Sequence, residues 1–282
     1  MTLLNVIIEL YRKCATELPA DVNKALVKAR EAEAKDSNAY NIITTILDNA
    51  KLSRQNSTPI CQDTGTPIFY VRCPVGADQL KLKDTIMKAT SIATEKIPLR
   101  PNAVEPVTGK NIGNYPLIKF TQWTKKQLEI KLMLKGGGSE NAGMIYKLPN
   151  KMLSAERSLD GVRKCVIDAV QTAQGNGCPP EIVGVGIAGT QDAAFELAKL
   201  QFFRNVYDVN NDKTLAKLET QLYYDLNQLG IGPMGLGGKT TVLAVKIGSM
   251  YRHPASYFVA VSFMCWACRR YTLIWDGEAH YD

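Results

Sequence analysis

Breaks in regular secondary structure are the feature that most constrains how this chain can fold. Glycine- and proline-rich segments interrupt the sequence at residues 57–65, 98–116, 135–143, 174–180 and 230–241. Glycine and proline tend to end helices and strands, so the elements between these segments must be short. We therefore expect short helices and strands joined by loops. The segment 98–116 is long enough to indicate a functional loop.

Helical and β-like runs follow one another irregularly between the breaks. Apolar spacing predicts helices over residues 2–55 and near 79–96, 154–174, 190–203 and 213–228, and strands near 66–73, 117–123, 127–134, 181–189, 242–247 and 257–264. Because strict βαβ alternation is absent, this order favours a mixed α+β fold with two lobes. A chain of 282 residues can bury roughly 75% of its unfolded surface and needs no stabilising cross-links.

Composition and charge narrow the class of protein. The N-terminal segment is an amphipathic helix rather than an export signal, because Glu9, Arg12 and Lys13 interrupt its apolar residues. No apolar run is long enough to span a bilayer, so we expect a cytoplasmic protein without a membrane partner. The net charge of +7 suits a nucleic acid or a small acidic substrate. Charge alone does not choose between these partners, but the basic residues are scattered and form no nucleic-acid motif, so we expect no nucleic-acid partner.

The seven cysteines differ in their sequence context. An odd number without an export signal argues against a disulfide framework and favours metal or catalytic use. Cys14 and Cys165 lie on helical apolar faces and Cys73 lies at a strand end, as buried cysteines commonly do. Cys61 in "STPICQDTG" and Cys178 in "GNGCPP" instead lie among helix- and strand-breaking residues. Free backbone N–H groups beside sulfur are typical of iron–sulfur sites.

Cys265 and Cys268 form a C-x-x-C pair, which suggests zinc or redox chemistry. A structural zinc site takes four ligands, and the sequence has neither a second C-x-x-C nor a pair of histidines with the right spacing. A thioredoxin-like motif would lie between a strand and a helix, which this sequence does not predict here. One of the two thiols can instead belong to a more widely spaced set of ligands.

Two glycine-rich segments resemble nucleotide-binding motifs but depart from them. "GIGPMGLGGKTT" has Pro233 where the phosphate-binding loop G-x-x-x-x-G-K-[ST] requires glycine. "GVGIAG" is half of a dinucleotide fingerprint and lacks the acidic residue that should follow. The sequence therefore disfavours nucleotide binding.

Several polar residues that are unremarkable alone share these loops. Asp63 can be a turn former, Arg100 a surface ion-pair partner and His253 a solvated loop residue. The other histidine, His280, lies in a predicted tail. The accumulation of polar residues in a few loops indicates a site rather than ordinary surface.

Taken in order, seven segments resemble the N-terminal half of the iron–sulfur class I fumarate hydratases, over about residues 50 to 270. They are "CQDTGTPIFY", "LRPNAVEPVTGKNIG", "KGGGSEN", "GCPPEIVGVGIAGTQDAA", "GIGPMGLGGKTT", "RHPAS" and "CWACRR". The resemblance implies a [4Fe–4S] cluster held by Cys61, Cys178 and Cys265, with one iron lacking a protein ligand. Cys268 does not match a ligand position.

The resemblance also implies a substrate site beside the cluster. Its substrate-binding residues would be Gln62, Asp63, Arg100, Gly136, Gly137 and His253, with Asp63 and His253 also catalytic. An open iron can act as a Lewis acid on a hydroxyl group. An arginine can bind a carboxylate through two parallel hydrogen bonds. The implied reaction interconverts (S)-malate with fumarate and water.

The extent of the match implies a subunit. Residues 1–282 would form one α domain, with a helical region at 1–55 and the cluster and substrate loops at 56–270. A separate β subunit, equivalent to the other half of the family's single-chain members, would complete the site, and α/β pairs would assemble further. The related L-tartrate dehydratase α subunit is the nearest alternative. A metal- or redox-binding protein built on Cys265 and Cys268 is a second.

Overall fold

The computed structural model describes residues 2–282, and the chain divides into two compact units. Unit 1 comprises the residues up to Pro19, Asp48–Gly137 and Arg269–Asp282, whereas unit 2 comprises Ala20–Leu47 and Gly138–Cys268. Each unit contains one sheet with helices packed against it. The predicted α+β fold is confirmed.

Unit 1 is built on a five-stranded sheet with the order β2-β1-β3-β8-β9. Its strands are β1 (Thr66–Pro74), β2 (Leu117–Trp123), β3 (Leu128–Lys135), β8 (Arg270–Trp275) and β9 (Ala279–Tyr281). Strands β1 and β2 are parallel, and the other neighbours are antiparallel. The start of β1, the end of β3 and the start of β8 thus lie at the same end of the sheet.

Helices α1 (Leu3–Thr16) and α4 (Gln79–Lys96) cover this sheet and pack on each other. Helix α4 begins where the Asp78 carboxylate accepts the Lys81 N–H at 3.0 Å, a standard N-terminal cap. Its buried residues Ile86, Ala89 and Ala93 recur at helical spacing and face the core.

Unit 2 is built on a four-stranded sheet with the order β4-β7-β5-β6. Its strands are β4 (Met144–Lys147), β5 (Glu181–Ala188), β6 (Val242–Ser249) and β7 (Phe258–Met264). Its helices are α2 (Ala20–Ala32), α6 (Leu159–Ala173), α7 (Gln191–Leu200) and α8 (Lys213–Asn227). Helix α3 (Asn38–Asn56) contributes residues to both units, and a short helix α5 spans Gly137–Asn141.

Close packing of α7 against β5 explains the glycines of "GVGIAG". Every residue of β5 is buried. A Cβ atom on Gly186 would lie 2.0 Å from the Ala194 carbonyl oxygen, and one on Gly184 would lie 2.3 Å from that of Ala198. These glycines are therefore required for helix–strand contact, which is a structural reason for a pattern that resembles a nucleotide motif.

Most predicted elements are present, with informative exceptions. The helix predicted near 154–174 begins only at Leu159, because the Ser158 hydroxyl caps it by accepting the Gly161 N–H at 3.1 Å. Strands β4, β8 and β9 were not predicted. The assignment of His280 to a tail was wrong, since it lies in β9 opposite Ile274. Every helix within residues 2–282 is too short or too polar to span a bilayer.

Candidate active site

The Cys61 loop of unit 1 is organised around Asp63. One carboxylate oxygen of Asp63 accepts the Gly65 N–H at 3.0 Å, and the other accepts the Gly137 N–H at 2.8 Å. Gly65 has φ +81°, and a Cβ atom there would lie 2.7 Å from the Leu134 carbonyl carbon. Only glycine fits this turn, so the loop packs directly on the end of β3.

The segment that carries Arg100 is joined to the same loop through Thr64. The Arg100 N–H donates to the Thr64 hydroxyl oxygen at 3.0 Å, and Asn102 Nδ2 donates to it at 3.2 Å. Asn114 Nδ2 donates to the Arg100 carbonyl at 2.9 Å. Hydrogen bonds therefore fix the backbone of Arg100, and the residue itself is exposed to solvent.

A further residue, Arg269, completes this network of hydrogen bonds, although no sequence motif gave it a role. Arg269 is buried, with 2% of its surface exposed, and its Nη1 donates to the Asp63 carbonyl oxygen. Its own carbonyl accepts the Leu134 N–H at 2.9 Å. Both carboxylate oxygens and the carbonyl of Asp63 are thus hydrogen-bonded, which fixes the loop two residues after Cys61.

In unit 2, the backbone brings the two remaining cysteine segments together. Cys178 adopts the left-handed conformation, with φ 55° and ψ 62°, and its N–H donates to the Gly175 carbonyl. Its carbonyl accepts the Trp266 N–H at 3.2 Å. The Cys268 N–H donates to the Cys265 carbonyl at 2.9 Å, which closes a tight turn. This turn separates Cys265, which is partly exposed, from Cys268, which is buried.

The seven thiols fall into two sets by exposure. Cys61, Cys178 and Cys265 are partly exposed, and Cys14, Cys73, Cys165 and Cys268 each have 0% of their surface exposed. Burial raises the pKa of the Cys165 thiol to about 12, so it stays protonated and inert at neutral pH. The accessible set contains the three cysteines that the sequence motifs singled out.

His253 lies in an exposed loop of unit 2 between β6 and β7. Its Nδ1 accepts the Ala255 N–H at 3.0 Å. An imidazole nitrogen that accepts a hydrogen bond carries no proton, so the neutral ring has its proton on Nε2. That N–H is the type of donor that a carboxylate or hydroxyl oxygen accepts.

The glycine-rich segment 230–241 uses its backbone donors internally. Glu33, which is buried, accepts the N–H groups of Lys239 and Thr240, each at 2.9 Å. In a phosphate-binding loop such N–H groups would face the phosphate. A carboxylate of the chain itself occupies them here, in agreement with the sequence argument against nucleotide binding.

Comparison with known proteins places this chain in a family. A family model described as fumarate hydratase (Fumerase) matches residues 4–274. The chain belongs to the fumarate hydratase family. A protein of Geobacillus stearothermophilus, provisionally named a class I fumarate hydratase, is 46% identical over 270 residues. That alignment covers 93% of this chain but 52% of the relative, so the chain spans about half of that protein's length.

Other relatives match over most of their own length. A protein of Methanocaldococcus jannaschii, provisionally named an L(+)-tartrate dehydratase α subunit, is 37% identical over 280 residues, covering 96% of each chain. The L(+)-tartrate dehydratase α subunit of Escherichia coli K12 is 35% identical over 277 residues, covering 95% of this chain and 89% of its own.

The predicted site residues are divided between the two units. Unit 1 holds Cys61, Gln62, Asp63, Arg100, Gly136 and Gly137, and unit 2 holds Cys178, His253 and Cys265. Within unit 1, the Asp63 and Thr64 contacts join the first six. Within unit 2, the Trp266 N–H joins the two cysteine segments. Sequence reasoning missed Arg269, which directly precedes β8; both it and Arg270, the first residue of that strand, are buried.

Proposed function

We propose that this chain is the α component of a hydro-lyase that interconverts (S)-malate with fumarate and water, with a [4Fe–4S] cluster held by Cys61, Cys178 and Cys265. The observation that carries the proposal is the exposure of the thiols: these three are partly exposed, whereas the other four are fully buried. Cluster ligands must be thiolates that iron can reach. The accessible set therefore has both the number and the chemistry of a cluster site with one open iron.

The main alternative to such a ligand set is a single zinc ion on Cys265 and Cys268. Within residues 2–282, no three His, Cys, Asp or Glu side chains gather closely enough to hold one metal ion. This disfavours a zinc site built on Cys265 and Cys268, which would need further ligands nearby. When bound, an iron without a protein ligand supplies Lewis-acid chemistry that makes a substrate hydroxyl a better leaving group.

The chain's own polar residues would bind and orient the dicarboxylate. Arg100 and Gln62 are exposed residues of unit 1, and their side chains can donate hydrogen bonds to carboxylate oxygens. The Nε2–H of His253 can donate to another oxygen of the substrate. Each carboxylate oxygen of Asp63 keeps a second lone pair after accepting one backbone N–H, so Asp63 can also accept the substrate hydroxyl.

Gly136 and Gly137 would complete the site at the end of β3. The Gly137 N–H already donates to Asp63, so this turn would act on the substrate mainly by holding the Asp63 carboxylate in place. We assign the base that removes the C–H proton to a separate β subunit, and we expect α/β pairs to assemble further.

The relatives point in two directions on substrate and architecture. The more similar relative is provisionally named a fumarate hydratase, at 46% identity, which favours malate and fumarate. The relatives that match over 96% and 89% of their length are named as tartrate dehydratase α subunits, which favours a two-subunit enzyme. L-Tartrate dehydration is therefore the second candidate function.

Anaerobic co-expression with a β-subunit candidate tests both the cluster and the substrate. We expect Cys61→Ala, Cys178→Ala and Cys265→Ala each to lose nearly all bound iron, and the matched control Cys268→Ala to retain it. The loaded wild-type pair should turn over malate faster than L-tartrate. Iron loss in Cys268→Ala with retention in Cys265→Ala would contradict the ligand set. High activity from the pure chain alone would contradict the need for a partner.

A further inference from the structure

Arg269 is an unusual residue within unit 1, because it is a cation in the protein interior without a counter-charge. It is the largest of the fully buried side chains. Its Nη1 donates to the Asp63 carbonyl oxygen, and its Nε has no hydrogen-bond partner among residues 2–282. None of the carboxylates in that range forms an ion pair with it.

The chemistry of arginine makes this arrangement costly. A guanidinium keeps its charge at any physiological pH, so burial cannot be relieved by loss of a proton. A buried charge that has only one neutral acceptor lowers the free energy of unfolding, and so destabilises the fold, unless an anion compensates it. The position therefore calls for an anion that the polypeptide itself does not provide.

The place where Arg269 is held indicates which anion that is. The guanidinium binds the carbonyl of Asp63, which is two residues after Cys61. Along the chain, Arg269 also follows Cys265 by four residues. Its backbone is fixed by the Leu134 N–H, and the Gly65 turn packs on Leu134 as well. Arg269 is thus anchored beside a segment that carries a proposed thiolate ligand.

We propose that Arg269 is a positioning residue that fixes the Cys61 loop and supplies the buried counter-charge for a thiolate-bound iron–sulfur cluster. This inference rests on the proposed function. A cluster with thiolate ligands carries net negative charge, and a buried cation nearby stabilises it more strongly than an exposed one. In the absence of the cluster, the same cation is a burden on folding.

The inference predicts that Arg269 destabilises the cluster-free protein and stabilises the loaded protein. Comparing the two forms tests this prediction. The variants are Arg269→Met, which keeps the side-chain length but removes the charge, and Arg269→Lys, which keeps the charge. Arg204→Met is the matched control, because Arg204 is an arginine of unit 2 that binds two carboxylates. The measurements are the thermal midpoint of the cluster-free chain and the rate of iron release to a chelator from the anaerobically loaded complex.

We expect the cluster-free Arg269→Met chain to melt at or above the wild-type temperature. Its loaded form should release iron roughly ten- to a hundredfold faster, the range seen when residues that support metal ligands are replaced. Arg269→Lys should release iron at an intermediate rate. The Arg204→Met control should melt lower but release iron at the wild-type rate while it remains folded.

Two results would overturn this inference without contradicting the proposed function. One is a cluster-free Arg269→Met chain that melts as low as Arg204→Met, which would make Arg269 an ordinary structural residue. The other is iron release from Arg269→Met at the wild-type rate. If the wild-type chain takes up neither iron nor sulfide, the proposed function fails, and the inference fails with it.

Discussion

Arg204 in unit 2 is partly buried and Arg269 in unit 1 is buried, and the two arginines differ in their partners. Arg204 binds Asp208 through Nη2 at 2.9 Å and Glu219 through Nη1 at 2.6 Å. The carboxylate of Asp208 also accepts a hydrogen bond from the buried Lys246 at 2.6 Å. Arg269, by contrast, binds one backbone carbonyl.

The difference distinguishes charges that stabilise the fold by pairing with each other from a charge that no carboxylate of the chain compensates. In unit 2, two cations and two carboxylates compensate one another, and Glu219 also accepts the Ile247 N–H at 2.7 Å. Such a network needs nothing from outside the chain. In unit 1, no carboxylate compensates the charge of Arg269. We therefore infer that a bound anion compensates it.

The largest expected effect is on the unit 2 network. Arg204→Met removes the partner of Glu219, whose side chain is 8% exposed, and leaves a buried carboxylate uncompensated. We expect a loss of about 3–5 kcal/mol in the free energy of unfolding, as when one member of a buried ion pair is removed. Urea denaturation of the cluster-free chain measures it. A loss no larger than that of Arg269→Met would erase the contrast between the two arginines.

A smaller effect is expected where Glu33 accepts backbone N–H groups in the same unit. Glu33→Ala leaves the N–H groups of Lys239 and Thr240 without this acceptor. A hydrogen bond to a charged group contributes about 1.5–3 kcal/mol. Because Lys239 is exposed, water can replace Glu33 at its N–H, so we expect a loss of about the size of the one bond to buried Thr240. Hydrogen exchange at the two amides should accelerate in parallel. Unchanged exchange would show that the segment 230–241 is held by other contacts.

The smallest expected effect is a pH dependence at Asp208. Burial opposes ionisation, but hydrogen bonds from Arg204 and Lys246 prevail and lower the pKa of Asp208 below its ordinary value of 3.8. A lowered folded-state pKa contributes stability above the unfolded pKa, and this contribution is lost as the pH falls through the folded pKa. Asp208→Asn should therefore be less stable than the wild type at pH 7.

The stability difference between Asp208→Asn and the wild type should close as the pH falls through the lowered folded-state pKa of Asp208, because the wild-type carboxyl is then protonated and uncharged as well. Denaturant titrations at a series of pH values measure this. A gap that stays constant down to the acid limit would mean that Asp208 acts through packing rather than charge.

Local patterns predicted much of the fold. The helix over 79–96 and the strands near 66–73 and 117–123 are present almost as predicted, because apolar spacing, a capping aspartate and nearby prolines act over a few residues. Strands β8 and β9 were missed, since their pairing with distant β3 and with each other leaves only a weak local signal. The helix start at Leu159 was missed because a serine cap outweighed the helix formers before it.

The sequence by itself determined the family and the cysteine segments and argued against a nucleotide-binding loop, because each depends on which residues follow one another. The tertiary structure decided which thiols stay accessible and that Asp63 is hydrogen-bonded to Gly137 and Arg269. It also decided that Arg269 is buried without a carboxylate while Arg204 binds two. Burial and charge compensation arise from residues far apart in the chain, so no local pattern could have distinguished one arginine from the other.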